Sequence, residues 1–291
     1  MKILVTGAYG QLGSELKELS DKFPHWEFFF TDWDSLDITD ENAVNDFFEE
    51  HKPGFVINCA AYTAVDKAET DTHSALKLNT FAPGVLAKAA KVYEAGFIHI
   101  STDYVFDGKS FNPYSEIDTV NPEGIYGKTK LGGERSCRGE NKNALIIRTS
   151  WLYSAYGNNF VKTMLRLGQE RDSLKVVFDQ VGTPTYAADL ARTVLAIAEI
   201  YDTNREKFIP GIYHYSNEGV ASWYDFAKSI FEITNTDCRV SPVLSVEFPT
   251  PAKRPHYSVL DKSKIKNTFN LEIQYWKDSL KICLNKIQKN N

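Results

Sequence analysis

Four cysteines are all that the 291 residues contain, and Cys59, Cys137, Cys238 and Cys283 stand apart with no C-x-x-C pair among them. That spacing excludes a disulfide framework or a zinc ribbon and fits reduced structural thiols in a cytoplasmic protein. The six histidines show no metal-ligand spacing, so no metal site is expected. No apolar run approaches the roughly 20 residues that a membrane span needs, and the amino terminus, one lysine and a short apolar run ending in glycine, is not a signal peptide. A net charge of −5 removes the electrostatic case for nucleic acid as the main partner.

Alternation is what the chain does have. Apolar strand-like runs occur at Lys2–Thr6, Trp26–Thr31, Phe55–Cys59, Phe97–Ser101 and Ala144–Arg148. Between them lie helical patterns at Gln11–Lys22, at Asp40–His51 with Thr39 or Asp40 as cap, in a long stretch to Tyr93 broken near Pro83, and within Asn121–Ser136. Strands apolar throughout and separated by helices predict an α/β fold, a doubly wound, Rossmann-type parallel sheet. Past Trp151 the alternation loosens. Helices are expected at Asn159–Glu170, Tyr186–Tyr201, Trp223–Ile233 and Trp276–Ile287, a strand at Leu174–Phe178 and a proline-rich loop at Pro249–Pro255. Residues 1–150 therefore read as a dinucleotide-binding domain, with a return of the chain near 172–200. Residues 151–291 read mainly as a smaller α/β substrate-binding lobe.

Gly7, Gly10 and Gly13 follow the first strand and open a helix. This turn suits a dinucleotide diphosphate: close backbone approach, tight helix–strand packing and unpaired helix N–H groups facing an anion. Asp32, at the end of the second strand, is placed to accept from the adenine ribose hydroxyls. Its charge would repel a 2′-phosphate, which favours NADH over NADPH. Asp37 and Ile38 fall where a loop caps the adenine. Tyr126 and Lys130, at i and i+4 of a helix, form an acid/base unit in which the ammonium would lower the phenol pKa of about 10. Thr102, at the carboxyl end of the fourth strand, can orient a carbonyl for reduction.

Thr6-Gly-Ala-Tyr-Gly-Gln-Leu-Gly13 together with Tyr126-x-x-x-Lys130 resembles the extended short-chain dehydrogenase/reductase superfamily. Within it the chain is similar to the dTDP-4-dehydrorhamnose reductase family, through Asn58–Glu69, Ser101–Gly108, Tyr126–Glu134, Arg148–Tyr153, Gly157–Met164, Asp179–Thr185 and, more thinly, Arg254–Asp261. The resemblance implies NADPH- or NADH-dependent reduction of a nucleotide-sugar 4-keto group, the step from dTDP-4-dehydrorhamnose to dTDP-L-rhamnose in cell-surface polysaccharide synthesis. It implies a monomer or homodimer, sometimes with Mg²⁺. By the same resemblance Thr102, Tyr126 and Lys130 are catalytic. Gln11 and Leu12 cover the diphosphate, and Ala60, Ala61, Tyr62 and Thr63 line the cofactor, with Asn79 near its nicotinamide half. Thr102, Asp103 and Trp151 contact the sugar, and Arg254 is a candidate partner for the substrate diphosphate. Glu123-Gly124 departs from the family's Leu-Asn. Related 4,6-dehydratases carry an acid pair after the threonine, whereas Tyr104 follows Asp103 here. Epimerising reductases use a cysteine and a histidine that this chain does not place there. Other readings are a non-catalytic nucleotide-binding regulatory subunit resembling that of methionine adenosyltransferase, a redox sensor of the same fold, or another nucleotide-sugar 4-ketoreductase. The intact Thr102, Tyr126 and Lys130 favour catalysis.

Overall fold

The computed structural model describes residues 1–290. The first part of the chain forms β1 (Lys2–Thr6), α1 (Gln11–Ser20), β2 (Glu27–Thr31), α2 (Glu41–His51), β3 (Phe55–Asn58), α3 (Val65–Ala68), α4 (Thr72–Leu76), α5 (Ala82–Val92), β4 (Gly96–Thr102), α6 (Ile125–Glu140) and β5 (Leu145–Thr149). There follow β6 (Leu152–Tyr153), α7 (Phe160–Glu170), β7 (Ser173–Val177), β8 (Val181–Gly182), β9 (Thr185–Tyr186), α8 (Ala187–Thr203), β10 (Gly211–Tyr215), β11 (Ala221–Ser222), α9 (Trp223–Thr234), β12 (Arg239–Val243), α10 (Ser263–Phe269) and α11 (Trp276–Asn290).

Six strands make one wholly parallel sheet in the order β10-β5-β4-β3-β1-β2. After β2 the chain crosses β1 to lay down β3 on its other side, so the switch point lies between β1 and β3. Their carboxyl ends open the crevice in which such sheets bind ligands. This is the expected doubly wound, Rossmann-type α/β fold. Both faces are covered. Ile3, Val5, Ile57 and Ile147 pack against α1 and α8 residues such as Leu16 and Val194 on one side. Leu4, Val56, Phe97 and Ile146 meet Val44, Phe48 and Leu86 of α2 and α5 on the other. The sixth strand comes from residues 211–215, beyond α8. The strand at 173–177 pairs instead with β12, away from the main sheet. Its alternation explains why: Leu174 and Val176 are buried while Ser173 and Lys175 are exposed, so only one face is covered.

The long helical stretch before Tyr93 breaks twice. α4 runs into a π-helical turn at Lys77–Phe81, and α5 begins with Pro83 in its first turn. Pro83 has no N–H to give to the carbonyl of Asn79, and the turn widens there. The freed carbonyl points at α6, where Gly133 admits it: a Cβ on Gly133 would lie 2.1 Å from Asn79 O. The smaller lobe has its own core, in which Phe226, Ile230, Leu280 and Leu284 join Tyr153, Val161 and Tyr186. A capping box between Ser222 and Asp225 starts α9, and Asp40 caps α2 through the N–H groups of Asn42 and Ala43.

Candidate active site

A cleft of about 780 Å³ runs along the carboxyl ends of β1, β2, β3, β4 and β5. At one end lies the glycine turn. Gly7 has a φ of +71° and sits so close to the β3 loop that a Cβ would lie 2.6 Å from Ala60 N; on Gly13 it would lie 2.3 Å from Gly7 O. Only glycine permits this packing of turn, helix and loop. No side chain caps the start of α1 at Gly10, which leaves its first N–H groups facing the cleft. A diphosphate fits that donor set. Leu12, Asp37, Ile38, Ala60, Ala61 and Thr63 also line the cleft, as does Gln11, whose Oε1 accepts from Asn159 of the smaller lobe at 3.0 Å. Asp32 lines it too, with its two carboxylate oxygens accepting from the backbone N–H groups of Tyr9 and Trp33.

At the other end Thr102, Asp103, Tyr126, Lys130 and Trp151 converge on the same cleft. β4 delivers Thr102 and α6 delivers the tyrosine and lysine. The helix is fixed at its start by Glu69, whose Oε1 accepts the Ile125 N–H at 2.9 Å. One turn past Lys130, a buried ion pair locks it: Arg148 of β5 donates to both oxygens of Glu134 (2.8 and 2.7 Å), and Ser101 donates to the same carboxylate at 2.6 Å. Thr102 and Tyr126 are thereby held by two strands and one helix.

The electrostatics differ from the expected tuning. Lys130 Nζ donates to Ile100 O at 2.6 Å and lies 3.4 Å from His99 Nε2; the Tyr126 hydroxyl is not among its hydrogen-bond partners. Burial raises the Tyr126 phenol above its ordinary range. The Thr102 hydroxyl works the other way and the Asp103 charge adds to the rise. The expectation that the ammonium lowers the phenol is thus corrected, because desolvation dominates. Burial also lowers Lys130 to about 8. Asp103, 2% exposed, is pushed up to about 6 by burial, against the hydrogen bond that its Oδ1 accepts from Thr102 at 2.9 Å. Its Oδ2 makes no well-formed hydrogen bond, although the Ser258 hydroxyl is near enough to favour the carboxylate.

Three expected residues stand back from the cleft. Tyr62 turns its hydroxyl to Asp71 at 3.0 Å. Asn79 is fully buried, and its side chain bonds Tyr62 N, Tyr62 O and Thr129 Oγ1, so it braces the β3 loop from behind. Arg254 pairs with Asp66 of α3 at 2.8 Å and approaches the Tyr104 hydroxyl at 3.5 Å. Trp151 lines the cleft and also packs into the smaller lobe, stacked on Trp223 with centroids 3.5 Å apart and a φ of +48°. A non-glycine residue in the left-handed region is uncommon and is held here by its packing.

Sequence reasoning missed Glu69, Asp66, Glu134 and His99, which act over long sequence separations and leave no local pattern. It also passed over Tyr104 as a site residue, although Tyr104 lines the cleft edge-on to Tyr126 at 5.4 Å. Among the described residues no group of three or more His, Cys, Asp or Glu side chains could hold a metal ion, and no helix is long and apolar enough to cross a membrane.

Residues 1–289 match the family described as RmlD substrate binding domain. The chain belongs to the RmlD family. A dTDP-4-dehydrorhamnose reductase of Aggregatibacter actinomycetemcomitans is 42% identical over 287 residues, covering 96% of this chain and 97% of that one. Among solved structures, a dTDP-4-dehydrorhamnose reductase of Clostridium acetobutylicum superposes with a TM-score of 0.93 at 49% identity, covering 99% of this chain and all of that one. The enzyme of the same name from Bacillus anthracis, solved in complex with NADP, gives 0.92 at 38% identity, covering 98% and 99%.

Proposed function

We propose that this RmlD-family chain reduces the 4-keto group of dTDP-4-dehydrorhamnose to give dTDP-L-rhamnose, using NADPH or NADH, in a cytoplasmic pathway toward surface polysaccharide. The observation that carries this reading is the convergence of Thr102, Tyr126 and Lys130 on one wall of a cleft whose far end is a glycine turn with open helix N–H groups. The relatives named as this reductase support it across nearly their full length. Residues 1–150 would hold the dinucleotide, and the smaller lobe would hold the sugar nucleotide.

When bound, the reduced nicotinamide supplies hydride to C4 of the sugar. The chain's own residues do the rest. Gly7, Gly10, Gln11, Leu12 and Gly13 would seat the diphosphate, with Asp32 at the adenine ribose and Asp37 and Ile38 at the adenine. Asp32 argues for NADH, whereas the B. anthracis relative is an NADP complex; a comparison of KM for the two cofactors separates them. Because burial keeps the Tyr126 phenol protonated, it is in the right state to give a proton to the ketone oxygen as the alkoxide forms. Thr102 would steady that oxygen, giving up its hydrogen bond to Asp103 to do so. Lys130 would hold the nicotinamide ribose. Trp151 and Asp103 would wall the sugar, and Arg254 would reach the substrate diphosphate by leaving Asp66.

The test is oxidation of reduced cofactor with substrate generated in situ, followed by its absorbance. Turnover by the wild type is expected. No absorbance loss with folded protein and either cofactor would overturn the reading.

A further inference from the structure

Behind Lys130 runs a buried polar chain that the proposed reaction does not use. Thr6 donates to Asn58 Oδ1 at 2.8 Å, and the Ala60 N–H donates to the same oxygen at 3.1 Å. Asn58 Nδ2 lies 3.0 Å from His99 Nδ1, and His99 Nε2 lies 3.4 Å from Lys130 Nζ. Asn58 and His99 are fully buried and Lys130 is 2% exposed. Two donors on Oδ1 fix the amide, since turned over it would set its NH₂ against the Ala60 N–H. Asn58 therefore offers an N–H to His99, Nδ1 accepts it, and a neutral imidazole must carry its proton on Nε2. That proton is aimed at Nζ. An N–H facing an ammonium is repelled, while an N–H facing the lone pair of an amine is a hydrogen bond.

We propose that His99, locked by Asn58 as the Nε2–H tautomer, is a positioning residue that favours the amine form of Lys130 and so keeps a proton exchangeable beside Tyr126. The reductase reading supplies the use of that proton; the tautomer stands without it. Burial holds His99 far below its ordinary range, and the Lys130 charge adds to this, so the ring is neutral. The other titratable groups around Nζ pull the opposite way, toward the ammonium, without reversing the lowering that burial imposes. Cys59, beyond β3, and Cys137, on α6, are kept as thiols by burial. The Glu134 carboxylate on α6 is taken by Arg148 and Ser101.

Nitrogen-15 NMR of the ring-labelled, cofactor-free wild type is expected to show His99 protonated at Nε2 and bare at Nδ1; the opposite pattern would overturn the proposal. In His99→Phe the Lys130 midpoint, followed at Cε by carbon-13 NMR, should rise by roughly one pH unit. An unchanged or lowered midpoint would overturn it. If that variant fails to fold, His99→Gln, which can turn an acceptor oxygen toward Nζ, should raise the midpoint in the same sense. Absence of turnover in the wild type would remove the reductase reading and leave both NMR results standing.

Discussion

At the scale of the residue, burial decides the chemistry. Tyr126 sits where its phenoxide is poorly solvated, so the acid form persists. Tyr126→Phe should cost roughly 100- to 10,000-fold in kcat, the usual range for loss of a positioned acid. Cofactor affinity measured by fluorescence titration should remain; undiminished turnover would refute the acid role. Lys130, lowered to about 8, is an ammonium below that pH and an amine above it. kcat/KM, which reports the free enzyme, should therefore fall as pH rises through 8, and a profile flat to pH 9.5 would show that its charge is not needed. Burial pushes Asp103 in the folded protein up to about 6, above the ordinary carboxylate value of 3.8. A raised acid favours the folded state at low pH and loses that contribution as pH rises from 4 through 6. Relative to the wild type, Asp103→Asn should thus gain stability across that window, by up to about 3 kcal/mol at 1.36 kcal/mol per pKa unit. Denaturant melts at pH 4.5 and 7 measure it. Thr102, Tyr126, Lys130 and the glycines were legible because each lies in a short motif whose spacing carries its chemistry. His99 and Glu134 were not, because a buried histidine and a buried glutamate acquire meaning only from Asn58 and Arg148 on other strands.

At the scale of the element, the seam between α5 and α6 holds the site in register. Gly132 and Gly133 let α6 approach the π-helical turn, and Asn79 in that turn braces the β3 loop. A Cβ at 133 would meet backbone, which has little room to move. Gly133→Ala should destabilise by about 1–3 kcal/mol, as overpacked cores do, and should lower turnover along with Tm. A melt within one degree of wild type would show that the seam relaxes freely. Most elements could be read from apolar periodicity, with ends off by one to four residues. The break near Pro83 was among them, although its π-helical form depends on which carbonyl Pro83 leaves unpaired and on where α6 can receive it. One feature could not. Strand β10 pairs with β5 only after α8 has crossed the sheet, and nothing in its own five residues announces that partner.

At the scale of the whole molecule, the two lobes meet across the cleft through polar contacts as well as through packing. The Pro249–Pro255 loop is held to the first lobe by Arg254 on Asp66 and by Lys253 on Glu123. Glu123, which with Gly124 was expected to depart from the family pattern, pairs with Lys109 as well. Both Lys253 and Lys109 are more than half exposed, so these pairs are screened by salt and worth little to stability. On the proposed reading, their effect belongs to binding. Arg254→Ala should raise KM for the nucleotide sugar several-fold, with a weaker salt dependence and kcat nearly unchanged; a fall in kcat alone would place Arg254 elsewhere in the cycle. The fold class was legible because a parallel sheet needs strands that are apolar throughout. The way the lobes clasp was not, because it rests on charges that look like ordinary surface residues until Asp66 and Arg254 are brought together.

The stacked, near-parallel pair of Trp151 and Trp223 gives the cleft an optical signature. Two indoles at 3.5 Å and 4° apart couple their electronic transitions. The circular dichroism of the protein should therefore carry an exciton couplet that Trp223→Phe abolishes. Since one ring lines the cleft and the other lies in the smaller lobe's packing, any ligand that slides between the lobes or tilts Trp151 would register as a change in that couplet, with no dye, label or turnover required.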